Sequence, residues 1–117
     1  MENFQQEIKT FCDERDWNQF HNPKDLSISL MLEAAELLEL FQWGRDIDFE
    51  AVSTDIRNNV ADELADIFYW VLLLSQKFEI DLASAFDNKM AKNIAKYPID
   101  KSKGKHSKYT EFENEKN

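Results

Sequence analysis

The chain has 117 residues, enough for one small domain, and its 43% hydrophobic content is sufficient to build a core. Two glycines and two prolines argue against a turn-rich β fold and favour long helices. The net charge of −9 argues against general binding of nucleic acid polymers, and a single cysteine, Cys12, excludes an internal disulfide.

No segment of the chain looks like a membrane or export element. The longest apolar run, Ile67–Leu74, is far too short to span a bilayer. The opening residues Met1, Glu2 and Asn3 lead into mixed polar sequence, so we expect no signal peptide. We therefore expect a cytoplasmic protein without a membrane partner.

The apolar spacing predicts a helix at the start of the chain. Phe4, Ile8 and Phe11 share one helical face, which predicts a helix from about Asn3 to Asp16. Residues 17–23, ending in a proline, are expected to break it.

Two long helices are predicted next. The first runs from about residue 23 or 24 to residue 43, with Gly44 as a left-handed cap. The second runs from a cap at Ser53 or Thr54 to about residue 78. Its expected core stripe consists of Ile56, Val60, Leu64, Ile67, Val71 and Leu74.

Asp81 is predicted to cap a fourth helix that ends near Tyr97 and Pro98. From Ile99 onward apolar residues are sparse, which predicts an irregular tail. The charge also changes along the chain. Residues 1–86 carry 6 Lys or Arg against 18 Asp or Glu, whereas residues 87–108 carry 7 Lys against 2 Asp.

Two pairs of carboxylates interrupt the most apolar stretches. Glu33 and Glu36 lie within the second predicted helix, and Glu63 and Asp66 lie within the third. Residues three apart share a helical face, so each helix would present two acids side by side. If the two helices pack antiparallel, both pairs can converge at one level. Acids are rarely placed in apolar surroundings unless they are paired or bind a metal.

Clustered carboxylates repel one another, and a divalent cation relieves that repulsion. Mg²⁺ prefers oxygen ligands and commonly uses substrate phosphates as further ligands. The four acids therefore predict a Mg²⁺ site. A di-iron site would need Glu-x-x-His pairs in the bundle, but His21 and His106 both lie outside the long helices.

The second and third predicted helices are apolar over more than one face. A four-helix monomer of this size cannot bury all of that surface, so a homo-oligomer is predicted, either a dimer or a tetramer. The fold class predicted is all-α, a four-helix bundle completed by oligomerisation.

An ordered series of motifs surrounds the acids. E-x-x-E is followed by a spacer of 26 residues and E-x-x-D. Four further motifs are Trp17-x-x-Phe20-His21-x-Pro23-x-x-Leu26, Glu39-Leu40-Phe41-Gln42-Trp43, Lys89-Met90-x-x-Asn93-x-x-Lys96-Tyr97-Pro98 and Gly104-x-x-x-Lys108-Tyr109-Thr110. Together they resemble the all-α nucleoside triphosphate pyrophosphohydrolases of the MazG-like superfamily, in particular the dCTP pyrophosphatase branch. The resemblance covers about residues 16–110.

The resemblance implies a reaction and a role for the acids. These enzymes hydrolyse a nucleoside triphosphate between the α and β phosphates, giving the monophosphate and pyrophosphate, and so cleanse the nucleotide pool. Glu33, Glu36, Glu63 and Asp66 would bind Mg²⁺ and form the catalytic centre. One of these carboxylates is expected to act as the general base. We expect a catalytic domain over residues 1–98 and a tail over 99–117, because apolar residues become sparse from Ile99 onward. Part of this tail is expected to cover the ligand, and its polar end past Thr110 is expected to be disordered.

The resemblance further implies a set of substrate-binding residues. Trp17 and Trp43 match positions that stack on or enclose the base. The expected contacts with phosphates and sugar are Lys89, Asn93, Lys96 and Tyr97, and the expected closing residues of the tail are Lys108 and Tyr109. Trp70 stands where the family often has Tyr. His21 is expected to brace the turn before the second helix, and Cys12 is expected to pack as a small apolar residue.

Two other interpretations of the sequence stay open. The same chemistry could act on dUTP or on non-canonical nucleoside triphosphates. Alternatively, the chain could be a helical-bundle interaction protein without enzymatic activity, in which the acids are only structural.

Overall fold

The computed structural model describes residues 1–44 and 48–104, and the described part is helical without strands. Its long helices are α1 (Glu2–Glu14), α2 (Pro23–Glu39), α3 (Thr54–Lys77) and α4 (Leu82–Lys96), followed by the short α5 (Ile99–Ser102). The all-α prediction is therefore confirmed. No helix in residues 1–44 or 48–104 has both the length and the apolar character needed to cross a membrane.

Side chains and prolines at the helix starts explain where three helices begin. Asn22 accepts a hydrogen bond from the Asp25 amide before Pro23, Ser53 accepts one from the Ile56 amide, and Asp81 accepts one from the Ser84 amide. Each cap supplies an acceptor to an amide that has no partner within its own helix. Ser53, rather than Thr54, is the cap of α3.

The end of α2 differs from the prediction. The helix ends at Glu39, four residues before the predicted end at Trp43, so Gly44 is not its cap. From Leu40 onward the backbone hydrogen bonds join residues three apart instead of four. One example is the bond from Phe41 N–H to Leu38 O at 2.9 Å. Such tightening is a common way for the last carbonyls of a helix to be satisfied.

The remaining short elements are a 3-10 helix at Trp17–Phe20, a second at Phe49–Ala51 and α5. The first of these occupies the predicted break after α1, and it follows Asp16, which has a left-handed backbone with φ of 55°. The second lies within the connection between α2 and α3, where Arg57 Nη2 donates to Phe49 O at 2.9 Å. Over Ile99–Ser102 alone, the helix α5 replaces the irregular structure predicted from Ile99 onward.

The chain divides into two compact units, Met1–Ile80 and a second that begins at Asp81. In the first unit α2 packs against α3, and α1 packs against α3. Leu37 lines the same groove as Val60, whereas Glu33 lies beside Glu63, so residue numbers rise along α2 as they fall along α3. The two helices are therefore antiparallel.

The core of the first unit is small, and all three of its long helices contribute to it. Its buried apolar residues are Ile8 and Cys12 of α1, Leu26 of α2, and Leu72 and Leu73 of α3. The predicted stripe on α3 is only partly buried, and Leu64 in it is 50% exposed. The difference arises because α1 covers the C-terminal half of α3 and leaves the face around Leu64 open.

Candidate active site

Three glutamates from two helices form a compact acidic cluster. Glu33 and Glu36 lie on α2 and Glu63 lies on α3, and each offers a carboxylate oxygen within 4.8 Å of the others. We call these three residues the acid group. The i, i+3 spacing on α2 and the antiparallel packing against α3 bring them together.

Two oxygens of the acid group are buried and lack a hydrogen-bond partner in the described part of the chain. They are Oε2 of Glu33 and Oε2 of Glu63. Burying a polar atom without a partner costs free energy, and burying a charged one costs more. The hard oxygen donors of the acid group suit a divalent cation, which would satisfy both atoms. The residues present therefore fit a metal site.

Burial and crowding raise the pKa of two of these acids. The pKa of Glu33 is raised first by burial, then by its hydrogen bond with Glu36 and by the charge of Asp66. The pKa of Glu63 is also raised mainly by burial, with Glu33 and Asp66 adding to the effect. Both shifts have the sign expected for like charges that are removed from water.

Asp66, the fourth predicted acid, is exposed and lies outside the group of three. It is nevertheless close enough for its charge to raise the pKa of both Glu33 and Glu63. The structure thus brings three of the four predicted acids together and places the fourth on the same face of α3 as Glu63.

The two tryptophans predicted to contact a base lie after the ends of different helices. Trp17 opens the 3-10 helix after α1 and is 42% exposed, with its ring edge-to-face against Phe11 at 5.3 Å between centroids. Trp43 lies in the turn after α2 and is 90% exposed. Large aromatic rings that remain exposed are available to a ligand or a partner chain.

Comparison with known proteins identifies the family. The sequence pattern of the MazG-like family matches residues 28–112, which include all four acids. The chain belongs to the MazG-like family. The dCTP pyrophosphatase 1 proteins of Bos taurus and Homo sapiens are 39% and 36% identical to it over 104 residues. The alignment covers 87% of this chain but only 62% and 61% of those relatives, so the chain spans about three fifths of their length.

A solved structure is similar in both fold and sequence. The crystal structure of a pyrophosphatase from Archaeoglobus fulgidus superposes with a TM-score of 0.79 at 40% identity. The match covers 84% of this chain and 92% of the other. The MazG-like fold predicted from the motifs is therefore confirmed.

The MazG-like match also extends over the second unit. There Lys89, Asn93 and Lys96 lie at positions of α4 that share about one face, and Tyr97 caps its C-terminal end. Lys89 is exposed, while Asn93 and Lys96 are half-buried. The predicted closing residues, Lys108 and Tyr109, lie outside the described residues, and so does His106.

Two other residues singled out by the motifs occupy the first unit. Cys12 is fully buried, as predicted, and its Sγ lies 3.3 Å from Oη of Tyr69. His21 is half-buried after the 3-10 helix, and its Nδ1 has no partner among the described residues. Burial, assisted by the charge of Lys77, lowers the pKa of His21, which therefore favours the neutral ring.

Two aromatic residues, Tyr69 and Phe11, make contacts that the sequence does not predict. Tyr69 follows Asp66 by three residues, and its ring contacts both Trp70 at 4.9 Å and Phe11 at 6.2 Å. The apolar spacing predicts for Phe11 only a place on the apolar face of α1. The available signal was the density of aromatics directly after the second acidic pair, Phe68-Tyr69-Trp70.

Proposed function

We propose that this chain is a Mg²⁺-dependent nucleoside triphosphate pyrophosphohydrolase acting on dCTP-like nucleotides. The observation that carries the proposal is the acid group, three carboxylates from two helices with two buried, unpartnered oxygens, in a MazG-like chain. The names of the mammalian relatives and of the archaeal structure support this reaction class. We further propose that the reaction removes unwanted nucleotides from the pool.

Glu33, Glu36 and Glu63 would hold the Mg²⁺, with Asp66 as a fourth carboxylate. When bound, the metal supplies positive charge to the phosphate oxygens and favours ionisation of a water molecule. One carboxylate of this set is the expected acceptor of the proton from the attacking water. The balance is one water consumed, one anhydride bond broken between the α and β phosphates, and two products, the monophosphate and pyrophosphate.

The substrate contacts proposed follow the motif positions. Trp17 and Trp43 would enclose the base by stacking, which their exposed ring faces permit. Lys89, Asn93 and Lys96 would contact phosphates and sugar together with Tyr97. Lysine ammonium groups offset the charge of phosphate oxygens in phosphoryl-transfer sites. Lys108 and Tyr109 are proposed to fold over the bound nucleotide.

We also propose that the chain works as a homo-oligomer, a dimer or a tetramer. Only five apolar residues of the described chain are buried, while Met31, Leu32, Leu38 and Leu64 on α2 and α3 are at least half exposed. An apolar groove of about 800 Å³ also opens between these two helices. Exposed apolar surface of this kind commonly marks a protein interface. A cytoplasmic location remains a prediction from the sequence.

A pyrophosphate-release assay across all canonical and several modified nucleoside triphosphates tests the proposal. With Mg²⁺ present we expect release from dCTP-like substrates at the highest kcat/KM. Release that is highest for dUTP or a non-canonical nucleotide would instead support the alternative substrate. Absence of release from every nucleotide, with no thermal shift from Mg²⁺ plus nucleotide, would support a non-enzymatic helical protein.

Two variants test whether loss of a carboxylate abolishes activity without affecting the fold. Glu36→Gln removes one charge of the acid group, and we expect turnover to be lost while the helical circular dichroism is retained. Asp66→Asn should behave in the same way if the fourth acid takes part. Full activity in both variants would overturn the metal assignment.

A further inference from the structure

Four aromatic rings form an unbroken edge-to-face series across the first unit. Trp17 contacts Phe11 with ring planes at 80°, Phe11 contacts Tyr69 at 84°, and Tyr69 contacts Trp70 at 89°. We call these four residues the aromatic series. Edge-to-face contact is a favoured arrangement of aromatic rings, so the orientation of each ring restrains that of the next.

The aromatic series ends close to the proposed metal ligands. Trp70 follows Asp66 by four residues and Glu63 by seven, positions that share one face of α3. Four residues of α-helix correspond to about 6 Å along the axis. The series therefore links the exposed Trp17, one of the proposed base contacts, to the helix that carries half of the acids.

Tyr69 contacts a ring on each side of it in the aromatic series and so connects the two ends of the series. Its ring touches Phe11 of α1 on one side and Trp70 of α3 on the other. Its Oη lies 3.3 Å from Sγ of Cys12, which has no exposed surface. Burial raises the pKa of the Tyr69 hydroxyl, so the group stays protonated and can keep this hydrogen bond. The ring is thus held both by packing and by its polar end.

Arg15 restrains the same end of α1. Its guanidinium carbon lies 4.0 Å from the centroid of the Phe11 ring, and its Nη1 donates to Phe11 O at 3.1 Å. One face of Phe11 is therefore occupied by a cation and its ring also meets Tyr69 and Trp17. Phe11 is 38% exposed, but these three contacts restrict the orientation of its ring, which makes it suited to transmit the position of Tyr69 to Trp17.

We propose that Tyr69 is a positioning residue for base recognition, acting through Phe11 on Trp17. This inference rests on the proposed function, in which Trp17 contacts the base. Tyr69 itself need not touch the nucleotide. The hydrogen bond between its hydroxyl and Cys12 fixes the orientation of the Tyr69 ring. That ring orients Phe11, and Phe11 in turn orients the Trp17 ring.

The test compares Tyr69→Phe, Cys12→Ala and the double variant with wild type. Each single change removes one partner of the same hydrogen bond. We expect KM for dCTP to rise about fivefold in either single variant, the ratio that corresponds to one neutral hydrogen bond, with kcat unchanged. The double variant should be no worse than the single ones, because the shared interaction is already lost. Binding of a non-hydrolysable dCTP analogue, measured by calorimetry, should weaken by the same factor.

A matched control is available on the same pair of helices. Phe4 and Phe68 make another edge-to-face contact between α1 and α3, with centroids 5.8 Å apart and outside the aromatic series. Phe4→Leu should lower Tm without changing KM. If Tyr69→Phe does not fold, Phe11→Leu removes the middle ring instead and should raise KM at least as much.

The outcomes separate the inference from the proposed function. An active wild type with unchanged KM and analogue affinity in Tyr69→Phe would overturn the inference alone. An equal rise of KM in Phe4→Leu would also overturn it, since general loosening of α1 would then explain the effect. A wild type that releases no pyrophosphate from any nucleotide would overturn the proposed function and, with it, this role of Tyr69.

Discussion

Glu33 and Glu63 lie on antiparallel helices with carboxylate oxygens within 4.8 Å of each other, and each has a buried Oε2 that no donor in the described chain reaches. Two like charges so close, and partly removed from water, oppose the packing of α2 on α3. A bound cation would turn this repulsion into attraction. The same two carboxylates therefore affect the stability of the α2–α3 packing and are proposed ligands of the catalytic metal.

Removing one member of this pair should weaken metal binding without loss of the fold. We expect Glu63→Gln to lower kcat about 100-fold or more, the effect of losing one preorganised electrostatic group. The metal-free variant should have an equal or higher Tm than wild type, because one charge of the cluster is gone. The pyrophosphate-release assay measures kcat, calorimetric titration with Mg²⁺ measures metal affinity, and thermal melts in EDTA measure Tm.

The matched control is Glu39→Gln, the same chemical change on an exposed residue at the end of α2. It should leave Mg²⁺ affinity, kcat and Tm close to wild type. Unchanged Mg²⁺ affinity in Glu63→Gln, or an equal loss in Glu39→Gln, would contradict the proposed metal site.

In the metal-free protein, the raised pKa values of Glu33 and Glu63 should make stability fall as pH rises. Each carboxyl binds its proton more tightly in the folded chain than in the unfolded chain, so protonation stabilises the fold. This stabilisation is fully present below the ordinary pKa of 4.5 and is lost as the pH rises through the raised values. Mg²⁺ should abolish the dependence, because it compensates the charges that appear.

A difference measurement isolates these two acids from the others. Asp13 and Asp81 have lowered pKa values and act in the opposite direction, but they are the same in wild type and in the Glu33→Gln/Glu63→Gln double variant. In EDTA, the double variant should gain stability relative to wild type as the pH rises from about 4 to about 8. A constant or reversed difference would show that the two carboxyls do not titrate as proposed.

Local signals in the sequence predicted most helix boundaries. Ser53 and Asp81 cap their helices as expected because a cap is a contact within one turn. The end of α2 was predicted too late, since the apolar run through Trp43 and the following glycine extend the helical pattern past Glu39. The backbone there forms hydrogen bonds between residues three apart, which the side-chain pattern does not predict.

The acids of the candidate site were predictable for a similar reason. Their i, i+3 spacing is local, and antiparallel packing then follows from two adjacent helices joined by a connection of limited length. The contact between Tyr69 and Cys12 was not predictable, because the two residues are 57 positions apart and their contact depends on how α1 packs. Burial is likewise a tertiary property, and the predicted stripe of α3 therefore includes the half-exposed Leu64.

Trp43 offers a test of base recognition that is separate from stability. Its side chain is 90% exposed, so Trp43→Ala removes few contacts and should leave Tm nearly unchanged. If the ring stacks on the base, nucleotide affinity should fall about tenfold, the value of one base–aromatic stack, while Mg²⁺ affinity is retained. Trp43→Phe keeps an aromatic face and should recover part of the affinity. Unchanged nucleotide affinity in Trp43→Ala would remove this residue from the substrate site.

The groove between α2 and α3 should carry the proposed contact between copies of the chain. Leu38 lines this groove and is 66% exposed, so a partner chain could cover it without any rearrangement of the helix. Leu38→Glu would place a charge in that interface, and burying an unpaired charge is costly. We expect light scattering at micromolar concentration to show a multiple of the chain mass for wild type and a shift toward the single-chain mass for Leu38→Glu. The control is Ile99→Glu. Ile99 is an apolar residue of α5 that is 83% exposed, and it does not line this groove. This variant should keep the wild-type mass. A wild type with the mass of one chain would contradict the homo-oligomer, and an unchanged mass in Leu38→Glu would move the interface away from the groove.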